Sequence, residues 1–238
     1  MPGSTSAGIA ARKPAFSPGR AIRRVLGPTL ARVVGDAYRA IFVDLDAVAD
    51  AIAPCLPAGA RVLDCGGGDG FPLNFLLARR PDLRITLVDP SASAGQWIDA
   101  AWRSKVDVHP GLTLAGYVER HGFDHDVILM SDVVHHLAPA PRREVFATIA
   151  ALSARRPGLL LLVKDVEPGS PRALLGLWSD RYLTGDRDVD PIGQRALDRL
   201  VRETLGPCER LATRLHDVDP PNYAVLYALR PSASRTAR

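Results

Sequence analysis

The stretch RVLDCGGGDG, residues 61–70, decides how this chain folds. Val62 and Leu63 are typical of the end of a buried strand, and the residues from Phe71 to Arg80 have the pattern of a helix with proline in its first turn. The glycines between them predict a strand-to-helix turn. Glycine has no Cβ and tolerates positive φ, so this backbone can approach a ligand closely. Free amides at the helix N-terminus favour an electron-rich group beside the turn.

Asp64 comes two residues before the first of these glycines and narrows the class of ligand. A carboxylate at the tip of a strand repels the pyrophosphate of a dinucleotide, whereas it accepts a hydrogen bond from a cation. We therefore expect a ligand that carries an ammonium group. Asp89 follows 19 residues after Gly70, where a carboxylate at the end of the second strand can bind the two hydroxyls of a ribose. The structural alternative is that Asp89 caps the turn that follows it.

Charge is distributed unevenly along the 238 residues, which carry a net charge of +4 and are 47% hydrophobic. The length fits one α/β domain, which we expect to span residues 36–238. Residues 1–35 contain six basic residues and no acidic one. We predict a disordered basic arm there, for which peripheral contact with nucleic acid or anionic lipid stays open, as does a transit peptide.

The cysteines and the hydropathy pattern indicate the compartment. Cys55, Cys65 and Cys208 form no CxxC pair, which favours a reducing environment and no structural zinc. No apolar run reaches the ~20 residues that a membrane-spanning helix needs. We expect a soluble, cytoplasmic protein.

Apolar runs and helical periodicity alternate along the rest of the chain. We predict helices over 36–53, 71–80, 92–103, 141–154 and 191–205, and further strands over 85–88, 112–115, 126–130 and 159–163. Short, continuous apolar strands separated by helices favour a parallel sheet covered on both faces. Such sheets bind ligands at the carboxyl ends of their strands, near the topological switch point.

Four blocks, VLDCGGGDG, LVDPS, DVILMSDVVHHL and LLLLVKDV, occur in this order. Together they resemble the signature blocks of class I S-adenosylmethionine-dependent methyltransferases, over about residues 36–230. The resemblance implies a doubly wound, mostly parallel α/β sheet of seven strands whose last strand is antiparallel. Residues 208–215 and 223–229 would supply the closing pair.

The resemblance also implies S-adenosyl-L-methionine as the cofactor. Asp64 and Gly66 would hold its methionine end, Gly68 would line the turn, and Asp89 would bind its ribose. Ser131 and Asp132 would border the methionine moiety and the methyl group, and Gly67 and Pro90 are further cofactor-binding candidates. One block departs from the family pattern. Where many members have an acidic residue after the third strand to hold the adenine amine, this chain has Ala115, Gly116 and Tyr117, so backbone groups or Tyr117 would have to serve.

Methyl transfer from a sulfonium depends on alignment and desolvation, and only the acceptor needs a base. Of the adjacent His135 and His136 in VVHHL at most one can face the cleft, and His135, nearer the strand tip, is the candidate base. The alternative is that both make structural hydrogen bonds. His121 and His125 form no metal-ligand spacing with them, and no metal is expected.

The acceptor is expected to bind where the fifth strand ends. Lys164 and Asp165 are predicted to leave the sheet there, and a long connection around residues 166–190 to act as a lid. Its Trp178 and Tyr182 suit an aromatic or lipophilic acceptor, although packing on the sheet explains them equally well.

These patterns predict methylation of oxygen or carbon in a small molecule. Nucleic acid is disfavoured as the acceptor because SDVV stands after the fourth strand, where amino-group methyltransferases have NPPY, and DPPN at 219–222 precedes the last strand. Two other functions stay open. One is a cofactor-binding or partner subunit without turnover; the other is a nicotinamide oxidoreductase, which the spacing of Gly66, Gly68 and Asp89 also suits.

Overall fold

The computed structural model describes residues 43–171, 190–213 and 215–230. The basic arm 1–35, the first residues of the helix predicted over 36–53, and most of the lid lie outside these ranges, and so do Trp178 and Tyr182. The predictions for these segments stay predictions.

The described chain alternates strands with helices. The strands are β1 (Arg61–Cys65), β2 (Arg84–Asp89), β3 (Val106–Pro110), β4 (Val127–Ser131), β5 (Leu160–Val166), β6 (Cys208–Ala212) and β7 (Asn222–Leu229). The helices are α1 (Leu45–Ile52), α2 (Phe71–Arg79), α3 (Leu114–His121), α4 (Pro139–Arg155), α5 (Gln194–Leu205) and the short α6 (Leu215–Val218). Single 3-10 turns cover Ala53–Cys55, Arg103–Lys105 and Val134–His136. Over the described ranges, no helix has both the length and the apolar character to span a membrane.

The sheet has seven strands in the order β3-β2-β1-β4-β5-β7-β6. The chain runs outward from β1 through β2 to β3 and then returns to β4 on the other side of β1, so the switch point lies between β1 and β4. β7 runs antiparallel to both of its neighbours, β5 and β6. The predicted fold class, a mostly parallel α/β sheet with an antiparallel last strand, is confirmed.

Helices cover both faces of the sheet, which explains why its central strands are apolar except near their ends. Leu63, Met130 and Val163 belong to the core on one face, with α4 and α5. Leu129 and Leu162 belong to the core on the other face, with α1 and α2. Since side chains alternate between faces along a strand, Asp64 points to the side of α1 and α2, and Asp165 to the side of α4 and α5.

The third strand is not where the sequence analysis placed it. It covers Val106–Pro110, and residues 114–121 form α3. Thr113 caps this helix by accepting a hydrogen bond from the Gly116 N–H at 3.2 Å, and Leu114 and Tyr117 are buried three residues apart. Helical spacing with a cap therefore overrides the strand tendency of the short apolar run.

The helix predicted over 92–103 is also wrong, because this segment is a series of turns with one 3-10 turn at its end. Its backbone amides bind the glycine turn and α2 instead of helical carbonyls. Gly95 N–H donates to the Gly68 carbonyl and Asp99 N–H to Asn74 Oδ1, both at 2.9 Å. Within the described residues, the helix predicted over 36–53 is represented by α1, whose N-cap Asp44 accepts a hydrogen bond from the Ala47 N–H at 3.0 Å.

Candidate functional site

The predicted cofactor residues converge at the carboxyl ends of β1, β2 and β4, around the switch point. Gly66 has φ +80°, and a Cβ there would lie 2.8 Å from Val133 Cγ2. A Cβ on Gly67 would collide with the Asp64 carboxylate. The turn therefore requires glycine at both positions, one for conformation and one for close approach.

Asp64 is the buried acid of this site. It is 3% exposed, and its Oδ1 accepts no hydrogen bond from the described residues. Burial, and then the neighbouring Asp89 carboxylate, raises the pKa of Asp64 to about 7 from its ordinary 3.8. A buried carboxylate without a donor is costly, so a cationic group bound there would stabilise the ionised form of Asp64; that role stays a prediction.

A pocket opens beside Asp64, between α1, α2 and the sheet. Asp64, Gly67 and Ser131 line it on the polar side, and Leu129 lines it as well. The apolar wall comes from α1 and α2, through Leu45, Val48, Ala49, Ile52, Pro72, Leu73 and Leu76. A charged end against Asp64 and an apolar remainder would fill this space.

Asp89 caps the turn that follows β2, as the structural alternative to ribose binding predicted. Its Oδ2 accepts from the Gly68 N–H at 2.9 Å, and its Oδ1 from the Ser91 N–H at 2.7 Å. The carboxylate thus fixes the glycine turn from the neighbouring strand, while Pro90 beside it is exposed. Each carboxylate oxygen keeps acceptor capacity, so ribose binding by Asp89 stays a prediction.

His135 lies in the 3-10 turn after β4 and is 3% exposed. Its Nδ1 is 2.6 Å from Asp165 Oδ1, and its backbone N–H donates to Asp165 Oδ2 at 3.2 Å. Asp165 is fully buried within β5, so this carboxylate orients the imidazole. A carboxylate accepts from Nδ1–H, so this contact favours the tautomer whose lone pair is on Nε2.

Lys164 and Asp165 do not leave the sheet, contrary to the sequence prediction. Both lie within β5 and both are 0% exposed. The Lys164 ammonium binds Asp132 Oδ1 at 2.6 Å and Oδ2 at 2.8 Å. Asp132, which follows β4, has φ +56°, which is unusual for a residue other than glycine. The structure thus brings Ser131, Asp132, His135 and Asp165 together at the carboxyl ends of β4 and β5, and Lys164 forms an ion pair with Asp132.

Asp132, His135 and Asp165 offer ligand-type atoms that lie within 4.8 Å of one another, the one such group in the part of the chain that the structure describes. A cation there would have to compete with the Lys164 ammonium for Asp132. We therefore assign no metal site.

Tyr117 is not placed to hold an adenine ring as suggested. It is 7% exposed within α3, and its ring packs on His109 and His121 with centroids 4.9 Å and 5.1 Å away. Residues 115–117 therefore belong to a packed helix. Because β3 ends at Pro110, the residues that directly follow this strand are Gly111 and Leu112.

The sequence analysis missed two supports of the site. Asp219 Oδ2 accepts from the Asp44 N–H at 3.0 Å, so the DPPN turn anchors the start of α1, which lines the pocket. Asp190 N–H donates to the His135 carbonyl at 2.8 Å, and the Arg142 guanidinium binds Asp190. No local sequence pattern predicts these contacts, because Asp44 and Asp219 are 175 positions apart and His135 and Asp190 are 55 positions apart.

Comparison with known proteins agrees with this architecture. Residues 63–156 match a family model described as a methyltransferase domain. The ribosomal RNA small subunit methyltransferase G of Desulfotalea psychrophila is 52% identical over 42 residues, which is 18% of this chain and 19% of that protein.

Solved structures share the fold over most of the described chain. An O-methyltransferase family protein from Burkholderia thailandensis has a TM-score of 0.59 at 22% identity, covering 88% of this chain and 62% of that one. Mitomycin 7-O-methyltransferase has a TM-score of 0.60 at 19% identity, covering 90% and 61%. The chain therefore spans less than two thirds of each of these relatives. Residues 63–156 therefore match a methyltransferase domain, and the solved structures show that the chain shares their fold.

Proposed function

We propose that this chain, which carries a class I methyltransferase domain, transfers the methyl group of S-adenosyl-L-methionine to an oxygen atom of a small aromatic or lipophilic acceptor. The observation that carries the proposal is the pairing of His135 with Asp165 at the same sheet edge as Asp64 and the glycine turn. A base held at the carboxyl ends of the same parallel strands would suit an acceptor that loses a proton.

The residues of the site fit the cofactor. Asp64 Oδ1 is buried without a donor among the described residues, and the amino group of the methionine end would supply one. Gly67 leaves room for that approach, and Ser131 borders the same pocket. When bound, the cofactor supplies an activated methyl group on a sulfonium.

The protein's own residues would handle the acceptor proton. A phenol or hydroxyl placed within hydrogen-bond reach of His135 Nε2 would transfer its proton there as the methyl group moves. Asp165, bound to Nδ1, would stabilise the imidazolium that forms and keep the ring in the reactive tautomer. The structures similar to this chain include O-methyltransferases, which favours oxygen over carbon.

The experiment is a transfer assay with the full chain. Labelled S-adenosylmethionine is incubated with a panel of phenols, aromatic carboxylic acids and aliphatic alcohols, and labelled products are identified by mass. Binding of S-adenosylhomocysteine is measured separately by calorimetry. We expect the chain to bind S-adenosylhomocysteine and to transfer label to at least one acceptor class. Absence of binding would refute the proposal, and binding without transfer would favour a subunit that binds cofactor but does not turn over.

His135→Gln is the diagnostic variant. Loss of the base should lower kcat about 10²- to 10⁴-fold and leave the affinity for S-adenosylhomocysteine unchanged. His216→Gln, which changes an exposed histidine of α6 in the same way, is the matched control. Equal kcat for both variants would remove His135 from the reaction.

Ribosomal RNA is the second candidate acceptor, because the 42-residue match is to a ribosomal RNA methyltransferase. It enters the same assay as one arm. Label in RNA with none in the small molecules would replace the small-molecule proposal.

A further inference from the structure

Lys164 is a lysine with no contact to solvent, at the tip of the central sheet. It is 0% exposed, and it pairs in register with Ser131, the last residue of β4. A buried ammonium is costly unless a carboxylate compensates it. Asp132 provides both of its oxygens at 2.6 Å and 2.8 Å, so the pair is charge-matched.

Asp132 stands between this ammonium and the His135–Asp165 pair. Its carboxylate lies in the group of ligand-type atoms within 4.8 Å of one another that includes His135 and Asp165. Its backbone is held in the left-handed region, with φ +56°, and its N–H donates to the Lys164 carbonyl at 2.9 Å. Lys164 thus holds Asp132 through both backbone and side chain.

The charges of the four residues depend on one another. With Lys164 charged and both acids ionised, the cluster carries one net negative charge when His135 is neutral and none when it is protonated. Without Lys164, His135 would lie among two uncompensated carboxylates, which stabilise the imidazolium. A histidine that is already protonated cannot accept a proton from an acceptor hydroxyl.

We propose that Lys164 is a positioning residue for the transfer reaction: it fixes Asp132 in its left-handed conformation and neutralises that carboxylate, so that His135 stays available as a base. This inference rests on the proposed function for its role in the reaction. It replaces the acceptor-binding role that the sequence suggested for Lys164, because both the burial and the ion pair keep the ammonium from an acceptor.

Several charged or titratable groups face His135 from the elements packed around it. In the described ranges they are Asp132 after β4, Lys164 and Asp165 in β5, Tyr223 in β7 near Asp165, the adjacent His136, and Asp190 with Arg142. Asp190 is already paired with Arg142. Lys164 is therefore the cation that compensates Asp132.

The test is a pH titration of His135, in which NMR of the imidazole signals measures the midpoint. The His135 signal is assigned as the one that His135→Gln removes. Lys164→Met should raise its midpoint by about one pH unit or more, since an uncompensated carboxylate at this range shifts a pKa by 1–3 units. Asp132→Asn should lower the midpoint, because it leaves the ammonium unpaired. The double variant should return the midpoint close to that of the wild type.

Lys105→Met is the matched control, because it removes a lysine that precedes β3 at the opposite edge of the sheet. It should leave the His135 midpoint unchanged. The same midpoint in Lys164→Met as in the wild type, or a shift that persists in the double variant, would overturn the proposal. If Lys164→Met does not fold, Asp132→Asn and the double variant decide it, since the proposal requires a lowered midpoint in one and its recovery in the other.

The role in the reaction is read from the pH dependence of kcat/KM. The acidic limb of the profile should move to higher pH in Lys164→Met and back in the double variant, with S-adenosylhomocysteine affinity unchanged. The titration needs no turnover, so a wild type that binds no cofactor refutes the proposed function while the NMR result still decides the charge relation.

Discussion

Replacement of Asp64 by asparagine should stabilise the free protein and weaken cofactor binding. The buried carboxylate has a pKa of about 7 in the folded chain, against 3.8 ordinarily. Since one pH unit corresponds to about 1.4 kcal/mol, ionised Asp64 costs about 4 kcal/mol of folding free energy above pH 7. This cost is absent below pH 3.8 and grows as the pH rises towards 7, because the folded state retains a proton that the unfolded state has lost.

Asparagine keeps the shape of the side chain but does not titrate. Its own burial cost is independent of pH, so the informative quantity is the change in the stability difference between variant and wild type. We expect this difference to move by about 3 kcal/mol in favour of Asp64→Asn between pH 5 and pH 8. Urea unfolding at several pH values measures it.

Cofactor affinity should move in the opposite direction. Loss of one charged hydrogen bond costs about 1.5–3 kcal/mol, so the affinity for S-adenosylhomocysteine should fall on the order of 10- to 100-fold. Glu119→Gln, which makes the same chemical change on the exposed side of α3, should alter neither quantity. A stability difference that does not depend on pH, or wild-type affinity in Asp64→Asn, would refute the reasoning.

Three further outcomes follow from the site. Gly67→Ala should abolish S-adenosylhomocysteine binding in calorimetry, because the new Cβ would collide with the Asp64 carboxylate; retained affinity would contradict the close approach. Asp165→Asn should lower kcat about as far as His135→Gln, since the imidazole loses the partner at 2.6 Å that sets its tautomer; an unchanged kcat would show that the pair is structural. Cys65, buried and with a pKa raised to about 12, should stay unmodified by a thiol reagent in the native protein and react only on unfolding, as peptide mass mapping would show.

The sequence predicted most of the fold because strand and helix periodicities are local properties. The errors arose where the periodic signal was short. Val106–Pro110 was missed as β3, and the turns after β2 were taken for a helix. In that segment Gly95 has φ +68° and its N–H is committed to the Gly68 carbonyl. Hydrogen bonds of this kind join residues far apart in sequence, so a window of ten residues cannot predict them.

The sequence by itself determined the strand-to-helix turn and predicted the class of its ligand, since Asp64 and Gly67 are only three positions apart and the turn brings them together. Only the tertiary structure decided the roles of the residues at the neighbouring strand ends. Asp165 reaches His135 across 30 positions, and Lys164 reaches Asp132 across 32. The order of β4 and β5 in the sheet sets these pairings, so a carboxylate and a lysine adjacent in sequence turn to opposite faces and take different partners.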